Sequence, residues 1–455
     1  MDPTPLQTIA QWSGGTLQAG DGRAFASSIC TDSRTLKGGD FFVALRGDNF
    51  DAHNFVTEAA RLGAVGAMVE EVAPGLPPEF GVIRVANTLQ GLQALASNYR
   101  RSLDLQVVGI TGSNGKTSTK DMTAAVLARR FQVSRTEGNL NNHVGVPITL
   151  LRARGSDQVG VYEMGMNHPG EIAPLAAMAA PDVAIITNIG VAHIEHMGSR
   201  EAIAQEKGML AETLGPGGYL ILNAEDDFSA SIAARTRADV VYVGIEKGDI
   251  RATNLVPDSH GVRFTIEAEG RSIEAELPVL GVHMVRNALL AVAAGRIFGL
   301  GLEDCAAGIR ELRLTKGRLE QKIVRGIHVL DDTYNANPDS VTAALSTLGV
   351  MSAAGRRIAV LGRMGELGRE AEPGHRRVGA AAAKEGLDCV IGVGSEARWI
   401  TEAAWSGGVE KVLLCESVEE AVRSLRAYAR AGDVVLVKGS RSARMERIVE
   451  GLQTL

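Results

Sequence analysis

The chain has 455 residues, which at about 150 residues per domain favours roughly three domains. Its 47 Lys and Arg residues and 53 Asp and Glu residues give a net charge of −6, which argues against a dedicated nucleic-acid or anionic-membrane binder. Hydrophobic residues make up 45% and charged residues 22% of the chain, and this ordinary globular composition excludes wholesale disorder.

Signals for export or membrane insertion are not predicted. The N-terminal segment MDPTPLQTIAQWSGG lacks the basic and apolar regions of a signal peptide, and no apolar run of about 18 residues predicts a transmembrane helix. The four cysteines are widely spaced without a C-x-x-C pair, so neither a disulfide framework nor a zinc site is expected. We therefore expect a soluble protein of a reducing compartment, with no membrane insertion.

Short apolar runs alternate with longer Ala/Leu/Arg-rich stretches, a pattern typical of strands that feed helices in parallel sheets. The first unit has three predicted strands and a helix: Phe41–Leu45, Val65–Val69, Val82–Val85 and Gln90–Ser102. The second has four predicted strands and an Ala-rich helix: Leu105–Thr111, Val159–Glu163, Val183–Asn188, Tyr219–Asn223 and Asn287–Phe298. The third has four predicted strands: Ile327–Asp332, Arg357–Leu361, Cys389–Val393 and Val434–Lys438. We predict an α/β protein with domains at 1–100, 101–314 and 315–455.

The stretch Gln106–Met122, QVVGITGSNGKTSTKDM, joins an apolar strand to a helix through a Gly/Ser/Asn turn. Glycines let backbone N–H groups curl around phosphate oxygens, and a helix N-terminus adds partial positive charge. Lys116 can then reach the β- and γ-phosphates, and the Thr117 hydroxyl can ligate Mg²⁺. A chance glycine turn before Lys-Thr would not explain the flanking strand and helix. The pattern predicts an ATP or GTP site made by Gly112, Ser113, Asn114, Gly115, Lys116, Thr117 and Ser118.

Polar side chains follow the next two strands of the middle unit. Glu163 ends one strand and is well placed to hold a metal ion, because ligands bind outside the carboxyl ends of parallel strands. His193, Glu195 and His196 follow the next strand and resemble a zinc cluster, but a Mg²⁺ site is the simpler hypothesis beside a phosphate loop. Taken singly, each histidine is more often a hydrogen-bonded loop residue, and Lys207 is by default a lysine on a helix surface.

The third unit contains the segment Ile327–Ser340, IHVLDDTYNANPDS, in which a buried strand runs into many hydrogen-bonding side chains. This composition indicates ligand contact, whereas an Asn/Pro turn with helix-capping residues is an equally physical alternative. Two later segments, AVLGRMGELG at 359–368 and VKGSRS at 437–442, also place glycine and polar groups after a strand.

Together these segments resemble the Mur ligases of bacterial cell-wall synthesis, and the resemblance covers nearly the whole chain in order. It rests on TDSRTLKGGDFFVALRGDNFDAHNF (31–55), TGSNGKTS (111–118), EGNLNNHVGVP (137–147), EMGMNHPGEI (163–172), TNIGVAHIEHMGS (187–199), HMVRNALLA (283–291), DDTYNANPDS (331–340) and VKGSRSARME (437–446). GNLNN and YNANP are the most specific strings, because sibling ligases carry other residues there. In them the chain is most similar to the branch that adds D-alanyl-D-alanine to UDP-N-acetylmuramoyl-tripeptide.

The resemblance implies an α/β enzyme of three domains. An N-terminal domain would hold the UDP-sugar, a central domain with a P-loop ATPase-like parallel sheet would hold ATP, and a Rossmann-like C-terminal domain would bind the dipeptide. Thr117 and Glu163 would hold one Mg²⁺, while Glu163, His193 and a carbamylated Lys207 would hold a second. A carbamate is coherent there, because a neutral amine that captures CO₂ becomes an anionic oxygen ligand.

The same resemblance assigns contacts to nucleotide and substrates. Asn287 would contact the adenine, Asp332 the ribose and Arg318 the γ-phosphate from across the domain boundary. The implied catalytic residues are Lys116, His193, Lys207 and Arg318. Near the UDP-sugar the implied substrate residues are Ser33 and Arg34, and near the dipeptide or acyl-phosphate they are Asn335 and Asn337.

The implied activity is ATP-dependent ligation of D-alanyl-D-alanine to UDP-N-acetylmuramoyl-tripeptide through an acyl-phosphate. Two alternatives stay open from the sequence: ligation of a different amino acid or dipeptide on the same fold, and a nucleotide-regulated binding protein whose phosphate loop is idle. The expected partners are the two small-molecule substrates, with ATP and Mg²⁺ as cofactors. We expect a monomer in the cytoplasm, where ATP and UDP-linked precursors are found.

Overall fold

Three large sheets follow one another in the computed structural model, which describes residues 1–47 and 49–453. The N-terminal sheet has the spatial order Thr16–Ala19, Gly81–Arg84, Gly66–Val69, Asp40–Val43 and Ser28–Cys30. Its first pair is antiparallel and the other pairs are parallel. Every residue of Asp40–Val43 is buried, as expected for a parallel strand that is covered on both faces. The helices of this unit are Leu6–Ser13, Val56–Arg61 and Thr88–Ser102.

The central sheet is the largest. Its order is Val133–Arg135, Val159–Glu163, Gln106–Thr111, Val183–Ile186, Tyr219–Asn223, Asp239–Gly244, Ile250–Pro257, Val262–Ala268 and Arg271–Leu277. The pairs are parallel as far as Ile250–Pro257, and the last two pairs are antiparallel. The helices are Lys116–Leu127, Gly145–Arg152, Ile172–Ala179, Ile194–Met197, Arg200–Glu212, Ser229–Ala233, Val282–Ile297 and Leu302–Arg310.

The C-terminal sheet has the order Glu320–Val324, Ile327–Asp332, Val434–Lys438, Arg357–Gly362, Cys389–Val393 and Lys411–Cys415. All of its pairs are parallel except the first. Its helices are Pro338–Val350, Ala371–Lys384, Arg398–Ser406, Val418–Tyr428 and Glu446–Gln453. Short 3₁₀ turns occur at Ser33–Thr35, Ala52–Phe55, Gly368–Glu370, Ser395–Ala397 and Arg441–Ala443.

The apolar cores of the three units are continuous with one another. One buried cluster joins the strand residue Val108 and the helix residue Val285 of the central unit to Leu330 of the C-terminal sheet. A second joins Leu92 of the N-terminal unit to Leu150 on the other face of the central sheet. The central sheet therefore carries one flanking unit on each face, and the loops at its strand ends face the C-terminal unit.

The α/β class and most of the predicted strands are confirmed. Val159–Glu163, Tyr219–Asn223, Ile327–Asp332, Cys389–Val393 and Val434–Lys438 begin and end at the predicted residues. The strand predicted at Val183–Asn188 ends at Ile186, because Thr187 and Asn188 turn away to bond the phosphate loop.

The predicted parallel central sheet is confirmed from Val133–Arg135 to Ile250–Pro257, and Ile250–Leu277 adds an antiparallel extension that the sequence analysis did not predict. Within it, Val262–Ala268 alternates buried and more exposed residues, as a half-covered strand should.

The predicted domain boundary at 100/101 falls in the last turn of the helix Thr88–Ser102, and the boundary at 314/315 falls between Leu302–Arg310 and Glu320–Val324. No helix in the described part of the chain is both long and apolar enough to cross a membrane.

Candidate active site

The phosphate loop adopts the predicted strand–turn–helix form, between the strand Gln106–Thr111 and the helix Lys116–Leu127. Gly112 has a φ of +146°, and a Cβ there would overlap the Thr187 hydroxyl. Gly115 has a φ of +82°, and a Cβ there would lie 2.6 Å from Asn287 Oδ1. Both positions therefore require glycine, for backbone conformation and for space. The turn leaves backbone N–H groups at the helix N-terminus, where a phosphate can bind.

Lys116 lies over this loop. Its Nζ donates hydrogen bonds to Gly112 O at 2.6 Å and to Ser113 O at 3.5 Å. Burial lowers the pKa of Lys116, while the Glu163 carboxylate opposes that shift. A cation held at the mouth of the loop can meet the oxygens of a bound phosphate.

Thr117 and Glu163 are buried side by side at the ends of the helix and the neighbouring strand. The Thr117 hydroxyl donates to Glu163 Oε2 at 2.8 Å, and Asn141 Nδ2 donates to the other carboxylate oxygen at 2.7 Å. Hard oxygen donors of this kind are the ligands that Mg²⁺ prefers. Asn141 belongs to the GNLNN string, and its position explains chemically why that string matters at this site.

Lys207 lies on the helix Arg200–Glu212 and has no exposed surface. Its Nζ has no hydrogen-bond partner among the described residues. Burial, assisted by the charge of Lys116, lowers the pKa of Lys207 well below its usual value. The default interpretation of Lys207 as a surface lysine is wrong, and its burial disfavours the charged form of the amine.

His193 precedes the short helix Ile194–Met197 and has a positive φ of +62°. Its Nδ1 lies 2.5 Å from Glu366 Oε2 of the C-terminal unit. Burial lowers the pKa of His193, and the Glu366 carboxylate acts in the opposite direction. Among the described residues, no group of three or more His, Cys, Asp and Glu side chains is arranged to hold a metal. The zinc-cluster alternative for His193, Glu195 and His196 therefore has no support from the geometry.

Arg318 reaches the phosphate loop from the C-terminal side of the predicted boundary. Its Nη2 donates to Thr117 Oγ1 at 2.8 Å, and its guanidinium lies 4.3 Å from the centre of the Tyr334 ring. The segment before it is fixed by Thr315, whose N–H and hydroxyl both donate to Asp121 Oδ2, at 2.9 and 2.8 Å. Asp121 is also paired with Lys120 at 2.8 Å.

Other predicted nucleotide residues line the same cavity, whose volume is about 1220 Å³. Asn287 is buried on the helix Val282–Ile297, against Gly115. Asp332 ends its strand and pairs with Lys438 at 2.6 Å. The cavity is lined by the phosphate loop, by 187–193 and by the C-terminal residues that follow the strands of that sheet.

The YNANP turn caps a helix and also lines the cavity, while the predicted ligand contact stays a prediction. Asn337 caps the helix Pro338–Val350 in a reciprocal pair with Ser340, as a capping turn should. Its Nδ2 also donates to Asn114 Oδ1 of the phosphate loop at 2.7 Å. Asn335 faces the cavity, and its carbonyl accepts a bond from Lys438 Nζ at 2.9 Å.

Ser33 and Arg34 are not brought into this cavity. They lie on the 3₁₀ turn Ser33–Thr35, where Arg34 Nη2 pairs with Asp32 Oδ2 at 2.6 Å. Hydrogen bonds from Arg34 lower the pKa of Asp32 to about 2. Arg34 is exposed and Ser33 is partly buried, and the hydrogen bonds of the Arg34 side chain run to Asp32, two residues away.

Two residues of the site were missed by the sequence reasoning. Glu366 lies in the AVLGRMGELG segment, which was singled out only for its glycines and polar groups. Asp121 carries no sequence signal, because an acid in the second turn of a helix is usually solvated. Only the approach of Thr315, 194 residues later in the chain, reveals its role.

Comparison with known proteins identifies two family models on the chain. The Mur ligase middle domain matches residues 110–295, and the model described as "Mur ligase, glutamate ligase domain" matches residues 317–441. The UDP-N-acetylmuramoyl-tripeptide--D-alanyl-D-alanine ligase of Bacillus subtilis is 36% identical over 427 residues, covering 93% of this chain and 92% of its own. The enzyme of the same name from Escherichia coli is 36% identical and covers 96% of both chains.

Solved structures similar to this chain are also Mur ligases. MurF from Acinetobacter baumannii superposes with a TM-score of 0.91 at 33% identity and covers 100% of both chains. The MurF ligase of Thermotoga maritima, solved in complex with ADP, has a TM-score of 0.83 at 28% identity and covers 94% of this chain and 97% of its own.

Proposed function

The chain belongs to the Mur ligase family of ATP-dependent ligases, and from this membership we propose that it joins D-alanyl-D-alanine to UDP-N-acetylmuramoyl-tripeptide. The product would be the UDP-linked pentapeptide precursor of peptidoglycan. The observation that carries the proposal is the contact between Arg318 and Thr117, because it joins the C-terminal unit to the phosphate loop at the point where a γ-phosphate would lie. The names of the relatives support the choice of acceptor.

The reaction has two steps. The terminal carboxylate of the tripeptide attacks the γ-phosphorus of ATP, forming an acyl-phosphate and releasing ADP. The amine of D-alanyl-D-alanine then attacks the acyl carbon, phosphate leaves, and the nitrogen loses a proton to give the amide. Activation is required because a carboxylate would have to expel oxide, whereas an acyl-phosphate expels phosphate.

The chain contributes positioning and charge to the first step. Lys116 bonds Gly112 O and Arg318 bonds Thr117 Oγ1, so that two positive charges lie at the loop, beside the proposed position of the transferring phosphoryl group. Backbone N–H groups at the start of the helix, residues 115–117, orient the phosphates, since those of Ser113 and Asn114 donate to Asn188. The domains at 1–100, 101–314 and 315–455 would bind the UDP-sugar, ATP and the dipeptide respectively. In that arrangement Ser33 and Arg34 contact the UDP-sugar, and Asn335 and Asn337 lie near the dipeptide or acyl-phosphate.

The donor set of the site fits Mg²⁺. Thr117 and Glu163 present adjacent buried oxygens, and His193 presents an imidazole on the same cavity. Lys207 fits only if its amine is carbamylated, since an ammonium would repel the metal; its buried, unpartnered, readily neutralised amine suits reaction with CO₂. Bound Mg²⁺ would neutralise charge on the phosphate oxygens. Carbamylation is tested by ¹³C NMR of protein equilibrated with ¹³C-labelled bicarbonate, in comparison with Lys207→Met.

The deciding experiment is phosphate release from ATP and Mg²⁺, with the two acceptor substrates supplied singly and together. Release only with both, together with the pentapeptide by mass spectrometry, supports the ligase. Release with another amino acid or dipeptide would move the chain elsewhere in the family. No release with any pairing would leave only a nucleotide-binding function for the protein.

A cytoplasmic location is expected from the UDP-linked substrate, and cell fractionation tests it. We also expect a monomer, and light scattering tests the oligomeric state.

A further inference from the structure

Two neighbouring strands of the C-terminal sheet lead into polar segments on the same side of the cavity. Ile327–Asp332 and Val434–Lys438 run parallel, with Asp332 opposite Lys438. Ligands bind outside the carboxyl ends of such strands, and residues of both following segments line the cavity. The first segment is the YNANP turn. The second is GSRS at 439–442, which brings a guanidinium to the same edge of the sheet.

The arginine of this second segment, Arg441, lies beside the YNANP turn and has a weakly held side chain. Its backbone N–H donates to Asn335 Oδ1 at 3.4 Å. The side chain is 70% exposed, and its Nη1 lies 3.6 Å from Glu446 Oε1. An ion pair of this length and exposure contributes little to stability. The guanidinium can therefore turn to an anionic ligand in the cavity without losing a strong partner.

Tyr334 relates Arg441 to the arginine at the phosphate loop. The Arg318 guanidinium lies 4.3 Å from the centre of the Tyr334 ring. Burial raises the pKa of Tyr334, and the charges of Arg318 and Arg441 both oppose that shift. Both guanidinium groups are thus within electrostatic reach of one side chain. Because Arg318 bonds Thr117 of the phosphate loop and Arg441 bonds Asn335, the two cations lie at different parts of one site.

Two other cations that line the cavity from the C-terminal unit already have carboxylate partners at close range. Lys438 is buried and pairs with Asp332 at 2.6 Å. Arg377 pairs with Asp339 at 2.5 Å. Their charges are largely neutralised within the protein. Of these three cations, Arg441 is the one best placed to bind a further anion, since its carboxylate partner is the most distant.

We propose that Arg441 binds the terminal carboxylate of the incoming dipeptide, and so selects an acceptor with a free carboxyl group. D-alanyl-D-alanine has one amine, which reacts, and one carboxylate, which stays charged throughout the reaction. A guanidinium can bind both oxygens of a carboxylate through parallel N–H groups. Ser440 and Ser442 also line the cavity on either side of Arg441, so hydroxyl donors accompany the guanidinium.

The size of the dipeptide is compatible with this assignment. An extended chain of two residues spans about 7 Å, so a carboxylate bound at Arg441 leaves the amine several ångströms away, free to attack the acyl-phosphate. The inference rests on the proposed function, because it names the residue that would recognise the proposed acceptor.

The first test compares D-alanyl-D-alanine with D-alanyl-D-alaninamide, which has the same amine and methyl groups but no carboxylate. In the wild type we expect kcat/KM to be about 10- to 100-fold lower for the amide, because a charge-assisted pair of hydrogen bonds is lost. In Arg441→Gln we expect kcat/KM to fall by a similar factor for the dipeptide and by less than about threefold for the amide. Equal falls for the two acceptors, or a wild type that uses both equally well, would overturn the proposal.

Two further variants keep the assignment to Arg441 specific. Arg444→Gln is the matched control, because Arg444 is an exposed arginine at the end of the same 3₁₀ turn and does not line the cavity. It should keep the wild-type preference for the carboxylate. Lys316 is an exposed lysine that also lines the cavity, and Lys316→Gln should keep the preference too. Loss of the preference in Lys316→Gln, and not in Arg441→Gln, would assign the carboxylate to Lys316 and overturn the proposal.

The phosphates of ATP and of the UDP-linked substrate are the other anions that a guanidinium at this site could bind. The KM values of both substrates are therefore measured in Arg441→Gln with saturating dipeptide. We expect each to stay within about twofold of the wild-type value, since the lost contact is to the dipeptide alone. A rise in either KM as large as the rise for the dipeptide would place Arg441 on a phosphate, and would overturn the proposal.

Failure of this inference is distinguishable from failure of the proposed function. A wild type that makes the pentapeptide, while Arg441→Gln keeps the preference for the carboxylate over the amide, contradicts the role of Arg441 alone. A wild type that forms no amide bond with D-alanyl-D-alanine contradicts the proposed function itself.

Discussion

The phosphate-loop site and the segment around Arg34 hold their charged groups in opposite ways. At the loop, Thr117 bonds Glu163, 46 residues later, and Arg318, 201 residues later. In the N-terminal unit, Arg34 pairs with Asp32, two residues away, and both side chains are substantially exposed. The first set of contacts exists only in the folded chain, whereas the second can form in a short peptide.

This difference predicts different consequences for function. Groups buried around the phosphate loop are held in place before any ligand arrives, so their loss should reduce the rate of the chemical step. An exposed pair with a local partner gains a fixed role only when a ligand binds it, so its loss should change substrate affinity. Four substitutions test this contrast, in order of decreasing effect.

The largest effect is expected for Lys116→Ala. Removal of a positioned charge from a developing anion usually lowers kcat by about 10² to 10³-fold. Lys116 bonds only carbonyls of its own loop, so the melting temperature should change by no more than about 2 °C. Steady-state phosphate release and thermal unfolding give the two values. Lys384→Ala, on an exposed helix end, serves as the control, and near-normal turnover of Lys116→Ala would remove Lys116 from the mechanism.

Lys207→Met should separate function from stability. Methionine fills a similar buried volume without an unpartnered amine, a group whose burial costs about 1–3 kcal/mol. We therefore expect an unchanged or raised melting temperature in metal-free, bicarbonate-free buffer, with kcat lowered by about 10²-fold because no carbamate can form. Lys207→Arg keeps a permanent charge at the same position and should be both inactive and less stable. Retained activity in Lys207→Met would contradict the carbamate.

Arg34→Ala should weaken the affinity for the UDP-linked substrate. Losing one charge-assisted contact to the UDP-linked substrate should raise its KM by about tenfold, with kcat and the KM for ATP nearly unchanged. Arg23 provides a matched control, because it pairs with Asp21 in the same exposed arrangement two residues apart. Equal effects of Arg34→Ala and Arg23→Ala would show that the 32–34 segment has no specific role.

Thr315→Val should give the smallest effect. It removes the hydroxyl bond to Asp121 and keeps the backbone N–H bond, so Arg318 should lose only part of its support. We expect a loss of about 1 kcal/mol in stability and a fall of about threefold in kcat, with the KM for ATP unchanged. Thr213→Val, whose hydroxyl bonds a carbonyl of its own helix, should leave kcat unaltered. A kcat equal to that of the wild type would mean that Asp121 does not position Arg318.

Much of the fold and part of the site could be predicted from the sequence. Strands such as Cys389–Val393 were found at their bounds, because a strand covered on both faces is an unbroken apolar run between turns. The phosphate loop was predicted because its glycines are needed for a local reason: Gly112 and Gly115 have positive φ angles and no space for a Cβ. The antiparallel extension Ile250–Leu277 was missed, although Val262–Ala268 shows the alternation of a half-covered strand.

Lys207 and Asp121 mark the limit of that reasoning. Helical spacing alone does not tell whether the single lysine of the helix Arg200–Glu212 faces solvent or the interior, so Lys207 is interpreted as a surface residue until packing shows that it has no exposed surface. The role of Asp121 depends on its hydrogen bond from Thr315, and no feature of the sequence between these two residues predicts that contact.

The sequence by itself determined the α/β class, most of the strands that are covered on both faces and the phosphate loop, because each follows from apolar runs or from residues adjacent in the chain. Only the tertiary structure decided the placement of Arg318 on Thr117, Asn337 on Asn114 and Glu366 on His193. These pairs depend on how two sheets pack through a shared core, and that packing is decided by the summed shapes of many side chains rather than by any local pattern.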